Sequence, residues 1–374
     1  MSFFRNKESY LGVDLGAGGI KIVELKKTKG RAQLWTYGIA EKNLNIYISE
    51  KIDKSPEDLV DELGSRKLKK PKKDIPTIED PRVEEYANIL KSLLREAKVT
   101  TKQTTASLPV SYIFHTVLNL PKVEDKEINH IVRAQVKKML PIPIEEMQLV
   151  HQKIPQEKDT KDKTIKILVT AAPKSLVAFY TAIFQKAGLE LKELETEAFA
   201  LQRSLVGKDK GTCMVIDIGA ERTSFFIMDE GLPMVHRSVN IGGNTVNNIL
   251  QKNLGINKED VEQIKQDLSQ IPNIDEQIFK SFIDPVVKEI ANSFEIYFSL
   301  SGNQDRKLEK IILTGGSSIL PFLRSELKKN FDTRVFIGDP WARVVHQDGL
   351  KMLLDRLGPR MSVAIGLALR NIEK

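Results

Sequence analysis

The chain has 374 residues, 41% of them hydrophobic, and a formal net charge of +7, which allows two or three domains with real cores and an acidic partner or anionic surface. One cysteine, Cys213, excludes a disulfide framework and reads as a small buried side chain, and the five histidines lack metal-ligand spacing. No apolar run reaches the roughly 18 residues of a membrane span, MSFFRNKES is too short and polar for a signal peptide, and no aromatic–basic interleaving offers to stack bases, so we expect a soluble multidomain α/β protein of a reducing compartment that binds no nucleic acid.

The first element is YLGVDLGAGGIKIVEL, residues 10–25, a strand, a turn holding Gly16, Gly18 and Gly19, and a second strand. Glycine admits positive φ and lets a ligand approach the backbone. Successive N–H groups in such a turn cradle an anion. Lys21 supplies a point charge for phosphate, and Asp14 suits a hydrated Mg²⁺. Taken alone, the stretch is at least as well read as an ordinary hairpin turn.

AQLWTYGIAE is a third strand. Residues 41–82 are irregular, with six basic residues between Arg66 and Lys73, and read as a solvated insertion or linker; contact with anionic lipid or an acidic partner is the alternative. RVEEYANILKSLLREAKV has helical spacing, TTASLPVSYIFHTVLNLP is extended, and EDKEINHIVRAQVKKML is a helix. QLVHQKIP and TIKILVTAAP are strands around the charged turn QEKDTKDK; KSLVAFYTAIFQKAGL is a helix ended by Gly188. ELKELETE is a strand and EAFALQRSLV a short helix. Residues 112–190 therefore read as a compact subdomain.

Then the opening repeats. GTCMVIDIGAERTSFFIMDEG is again strand, Asp-x-Gly-Ala turn and strand, with Asp217 lying 203 positions after Asp14 (217 − 14). Such internal repetition suggests two related halves. The second turn carries Gly219, Ala220, Glu221 and Arg222, then the hydroxyls of Thr223 and Ser224; Arg222 either touches phosphate or points to solvent. NIGGNTVNNIL sets Gly242 and Gly243 before a helix, as a nucleotide border or an ordinary cap. KLEKIILTGGSSILPFLRSELKKNF runs from a strand through Gly315, Gly316 and Ser317 into a helix, a βα turn of the kind that holds nucleotides.

In this order the motifs resemble the nucleotide-binding fold shared by actin, sugar kinases and heat-shock chaperone ATPases. The likeness narrows to the PilM family of type IV pilus assembly proteins through SFFRNKESYLGVDLGAGGIKIVEL, LPVSYIFHTVLNLP, ETEAFALQRSL, VIDIGAERTSFFIMDEGLPMVHRSVNIGGNTVNNIL, IILTGGSSILPFLRSEL, PWARVV and SVAIGLALR. The resemblance implies an α/β, actin-like two-lobed fold with duplicated ribonuclease H-like lobes and an inserted subdomain as in FtsA. The first lobe would comprise residues 1–111, 191–210 and 340–374, interrupted by the basic insertion 41–82. The second lobe would be 211–339 and the inserted subdomain 112–190.

It further implies ATP with Mg²⁺, held through water by Asp14 and Asp217. Gly16, Ala17, Gly18, Gly19 and Lys21 would face the phosphates from one side, and Gly219, Ala220, Arg222 and Thr223 from the other. Gly242, Gly243, Gly315, Gly316 and Ser317 would border the nucleoside, and Glu197 would orient water. The first turn holds Ala17-Gly18-Gly19 where the family carries serines, so the expectation is binding with slow hydrolysis at most. The implied partners are the N-terminal peptide of the bitopic protein PilN, the PilN/PilO complex and the pilus motor ATPases. The implied location is the cytoplasmic face of the inner membrane, reached through those partners; a homo-oligomer is compatible with it. The alternatives are an FtsA-like division protein, whose membrane-binding tail this sequence does not show, and an active ATPase or kinase of the same superfamily.

Overall fold

The structure is a computed structural model that describes residues 8–46, 75–154, 164–266, 268, 275–300 and 306–372. The basic run 66–73 and the charged turn 156–163 lie outside the described residues.

The chain opens with β1 (Ser9–Gly16), β2 (Gly19–Thr28) and β3 (Arg31–Ala40), an antiparallel meander. Its first hairpin closes over two residues, Ala17 and Gly18, with Gly16 paired to Gly19. Helix α1 (Arg82–Glu96) leads to β4 (Gln103–Leu108), parallel to β1. A separate antiparallel sheet follows, built from β5 (Phe114–Pro121), β6 (Met147–Lys153) and β7 (Thr164–Pro173) in the order β5-β7-β6, with α2 (Asp125–Lys137) between its first two strands. Helix α3 (Lys174–Lys186) then returns the chain to β8 (Glu190–Thr196), parallel to β4. Helix α4 (Glu197–Leu201) runs directly into a π-helical turn, Gln202–Val206.

The second half contains β9 (Cys213–Ile218), β10 (Thr223–Asp229), β11 (Leu232–Val239), α5 (Gly243–Leu254), α6 (Val261–Gln266), α7 (Lys280–Ser299), β12 (Lys310–Thr314), α8 (Pro321–Asn330) and β13 (Arg334–Ile337). The chain finally crosses back through β14 (Val344–Val345), which extends the first sheet beside β3, into α9 (Lys351–Leu369). The first sheet reads β14-β3-β2-β1-β4-β8 and the second β11-β10-β9-β12-β13. Without β14 the two orders are the same, three antiparallel strands followed by two parallel ones, so the sequence repeat is a duplication of the fold.

Alternation along the strands sets the layers. Leu11, Val13, Ile20 and Ile22 pack with α1 and α3, while Val23 and Leu25 on the opposite face pack with Ala364, Ile365 and Ala368 of α9. Leu176, Phe179, Tyr180, Ile183 and Phe184 of α3 bury in the first-lobe core, against Tyr86 and Leu90 of α1. The segment 112–190 thus divides: the three-stranded sheet and α2 form their own layer around Leu120, Ile128, Val132 and Ile167, whereas α3 belongs to the packing of the first sheet. Periodicity shows that a helix has an apolar face but not which sheet it covers.

Two features join the halves. Leu168 of β7 and Ile154, just past β6, enter the core of the second lobe beside Met234 and Val235. Between the lobes, α4 and α9 cross at very close approach, since a Cβ added at Gly366 would lie 1.9 Å from the Ala200 carbonyl oxygen. The PWARVV stretch serves this crossing. Trp341 is buried and donates from Nε1 to the Leu354 carbonyl at 2.9 Å, and Arg343 donates to the carbonyls of Arg203 and Val206, capping the π turn. Among the described residues no helix is long and apolar enough to cross a membrane.

Candidate functional site

A cleft of about 390 Å³ opens between the lobes. One wall comes from the β1–β2 turn: Asp14, Gly16, Ala17, Gly18 and Lys21. The other comes from the β9–β10 turn: Asp217, Gly219, Ala220, Glu221, Arg222 and Ser224. The two turns meet, since a Cβ added at Gly18 would lie 3.1 Å from the Ala220 Cβ. Glu197 also lines the cleft, as do Gly243, Gly315, Gly316 and Ser317.

Carboxyl groups crowd one part of this cleft. Lys21 Nζ stands 3.6 Å from Asp14 Oδ2, and Ser107 donates to Asp14 Oδ1 at 3.2 Å. Burial, then the Asp14 charge, pushes Asp217 up to about 7, with Lys21 opposing. Burial, then Asp14 and Asp217, pushes Glu197 well above the ordinary carboxyl range. Asp14, Asp217 and Glu197 thus act on one another with Lys21 as the cation opposing them, so a further cation arriving beside them relieves repulsion. Among the described residues no group of three or more His, Cys, Asp or Glu could hold a metal on its own. Asp14 and Asp217, one carboxylate from each turn, match the donors that Mg²⁺ takes beside its waters and phosphate oxygens. The donors therefore fit an ion carried in with phosphate better than a resident metal.

Not every expected residue faces the cleft. Thr223 is fully buried and its hydroxyl donates to the Ile241 carbonyl at 2.7 Å; its neighbour Ser224 lines the cleft instead, because adjacent strand residues point to opposite faces. Gly19, at φ +124, holds the hairpin against the end of β3, where a Cβ would lie 2.0 Å from the Ala40 carbonyl. Gly242 lets α5 approach the second turn, and a Cβ there would lie 2.6 Å from the carbonyls of both Gly219 and Ala220. Those carbonyls accept from the N–H groups of Gly243 and Asn244 at 2.9 and 2.8 Å, so these two donors of the helix N-terminus already serve the loop.

The structure adds residues that carry no sequence signal. Lys265 of α6 is buried at the cleft, with Nζ 3.0 Å from Asn247 Oδ1 and 2.7 Å from a Glu262 carboxylate oxygen. Burial lowers its pKa, and Glu262 opposes that shift. Arg360 reaches Glu41 at 2.6 Å, and both line the cleft. The Glu–Lys spacing on α6 is too common on helices to mark a site.

A second cavity, of about 400 Å³, lies between the three-stranded sheet and the first lobe. Its opposing walls are β6 and β8, each the last strand of its sheet. Val150, Leu168 and Phe199 give apolar lining; Glu193, Glu195 and Arg370 form a charged end. Glu195 pairs with Arg203 and, at 2.6 Å, with Arg370, which also pairs with Glu193.

Duplicated lobes of this strand order, enclosing a cleft with an Asp-bearing turn on either side, define an actin-like ATPase fold. Solved structures of that fold superpose over nearly the whole chain. A PilM–PilN type IV pilus biogenesis complex matches with a TM-score of 0.76 and 22% identity, covering 98% of this chain and 99% of that one. The ethanolamine utilization protein EutJ of Carboxydothermus hydrogenoformans gives 0.51 and 16%, covering 97% and 89%. MreB5 of Spiroplasma citri bound to ADP gives 0.50 and 12%, covering 96% and 94%. The family model described as type IV pilus assembly protein PilM matches residues 73–372, and the chain belongs to that family.

Proposed function

We propose that this chain is a nucleotide-gated scaffold of type IV pilus assembly. It holds ATP with Mg²⁺ in the cleft and the cytoplasmic N-terminal segment of a PilN-type membrane protein in the second cavity, at the cytoplasmic face of the inner membrane. The observation that carries the first half is the meeting of two copies of one Asp-x-Gly turn across a cleft whose carboxyl groups await a cation. A Spiroplasma protein of the same fold holds ADP, which supports a nucleotide there.

Lys21 and the N–H groups of the two turns would bind phosphate. Asp14 and Asp217 would hold Mg²⁺ through water, the ion supplying charge neutralisation at the phosphates. Lys265, Glu262 and the Gly315–Ser317 loop would position the nucleoside. Glu197 would orient water, and a carboxyl held so far above its ordinary range stays protonated and accepts no proton from that water, which favours slow turnover.

For the second half, β6 and β8 offer free edges to an extended segment, and the apolar lining offers side-chain pockets. A solved PilM–PilN complex supports the choice of occupant. The groove lies on a seam. β8 is hydrogen-bonded into the first sheet, while β7 and the end of β6 reach into the second-lobe core. Closure of the lobes on nucleotide would therefore alter the groove, to the extent that nucleotide binds the closed state better. Through the docked segment the scaffold would reach the PilN/PilO complex and the pilus motor ATPases.

A calorimetric titration with Mg·ATP, followed by a phosphate-release assay on the same sample, tests this reading. Tight binding with negligible release supports it; rapid release makes the chain an enzyme, and no binding removes the nucleotide from the proposal. Titrating a PilN N-terminal peptide with and without ATP tests the gate.

A further inference from the structure

The β2–β3 hairpin projects at the end of the first sheet remote from the cleft, since β1 begins there and reaches the cleft at its other end, with Asp14 and Gly16. Trp35 on β3 is 54% exposed, and Lys26 Nζ lies over its ring, 3.1 Å from the centroid. Register pairs Lys26 with Gln33 and Gln33 with Val345, so these three share one face, and Val345 is 45% exposed. Helix α1 stops short of this surface, where Thr36 Oγ1 donates to the Ala97 carbonyl at 2.7 Å.

Cations crowd the same end. Lys27, Lys29 and Arg31 stand at the hairpin tip, Lys98 just past α1, and Lys102 just before β4. Among the described residues none of these five is ion-paired with a carboxylate. The acidic groups nearby are few. Glu8 and Glu96 are exposed and Glu190 is paired with Lys192 at 3.0 Å, while Glu24 is fully buried and accepts from Ser9 and Thr100.

We propose that this end of the first lobe, the Lys26–Arg31 hairpin with Trp35, Lys98 and Lys102, docks on an anionic lipid bilayer. Lysines on long stems attract a negative surface, each worth about fivefold in affinity. A half-exposed indole beside them suits the headgroup level, where tryptophan's amphipathic ring settles. An acidic protein would satisfy the charges but gives the half-exposed indole and Val345 no particular role. The placement also agrees with the groove. β8 begins at this same end, with the Glu190 N–H donating to the Lys102 carbonyl at 2.8 Å, so a membrane-tethered segment would enter alongside β8 from the bilayer side. Only that orientation rests on the proposed function; the lipid contact itself needs neither nucleotide nor peptide.

The test is co-sedimentation of the full chain, without nucleotide or peptide, with vesicles containing phosphatidylglycerol and with vesicles of phosphatidylcholine alone. Binding should require phosphatidylglycerol and weaken with salt. The pair Lys29→Gln and Arg31→Gln should lower it roughly 25-fold, five for each charge. Trp35→Ala should lower it further, while Lys328→Gln with Lys329→Gln, on the second lobe, should leave it unchanged. If Trp35→Ala fails to fold, the two exposed tip charges still decide. No binding to phosphatidylglycerol at low salt overturns the proposal, as does binding that the tip variants leave intact. Capture by an acidic polypeptide with no vesicle binding would assign the surface to a protein and equally overturn it.

Discussion

His115 on β5 and Pro233 on β11 are joined by a hydrogen bond, the imidazole Nε2–H donating to the proline carbonyl at 2.9 Å. It ties the three-stranded sheet to the second lobe, beside the apolar contact of Leu168 with Met234 and Val235. Burial holds His115 below its ordinary pKa, so the ring stays neutral and the bond persists through the physiological range. If this contact carries lobe closure to the groove, His115→Ala should leave ATP affinity and peptide affinity within about threefold of wild type. It should abolish the difference between peptide affinities measured with and without ATP. Paired titrations check this, and an undiminished nucleotide effect would place the coupling elsewhere.

Asp217 makes stability depend on pH. Its proton affinity rises from 3.8 to about 7 in the fold, so the folded protein holds a proton that the unfolded chain has already lost. The cost of ionising it therefore grows as pH climbs through that window and is complete above it. The full rise corresponds to about 4 kcal/mol; Asp217 is partly open to the cleft, which reduces this to about 1–3 kcal/mol. Asp217→Asn should stabilise the ligand-free protein by that amount near pH 8, with the gain fading towards about pH 4. The same variant should lose the Mg²⁺ dependence of ATP affinity. Thermal melts across pH and titrations with and without Mg²⁺ read the two effects.

Gly315 adopts φ +87, and an added Cβ would lie 2.4 Å from the Ile218 carbonyl and 2.5 Å from Asp217 Oδ1. Gly315→Ala combines backbone strain with intrusion on the Asp217 carboxyl. A loss of about 1–3 kcal/mol is expected, with weaker nucleotide binding than wild type at a temperature where both remain folded. A neutral substitution would mean that the loop can shift without disturbing Asp217.

Val150 lies on β6, the edge strand of its sheet among the described residues, and is 62% exposed within the proposed peptide groove. Val150→Lys should change stability by no more than about 0.5 kcal/mol. It should weaken the PilN peptide by about tenfold, roughly 1.4 kcal/mol. Unaltered peptide affinity would move the docking site away from β6.

Cys213 is fully buried in β9, and burial pushes its thiol up to about 12. A thiol so rarely ionised and without solvent access should label only when the second lobe opens. Its reaction with a thiol reagent should run at the unfolding rate and slow when Mg·ATP is bound.

The parts of the fold legible in the sequence were those whose signal is local. The β1–β2 and β9–β10 hairpins announce themselves by alternation broken by small residues, and their shared Asp-x-Gly exposed the duplication. What escaped depends on distant partners. The sequence order sets helix α3 within 112–190, and its apolar face does not say that it packs with Tyr86 and Leu90. Thr223 and Ser224 both carry hydroxyls, and only the strand phase decides which one faces the cleft. Lys265 and Glu262 reach the cleft only because α6 packs against α5.

The return of the chain through β14 and α9 has a consequence for biosynthesis. The second sheet is complete once Ile337 has been made, because all its strands lie between Cys213 and that residue. The first sheet, begun at Ser9, must wait for Val344 to cover the edge of β3 and for α9 to cover Val23 and Leu25. The lobe synthesised first is thus finished last, and its nascent strands stand uncovered while the rest is translated, the interval in which such a chain is most exposed to aggregation and most in need of chaperones.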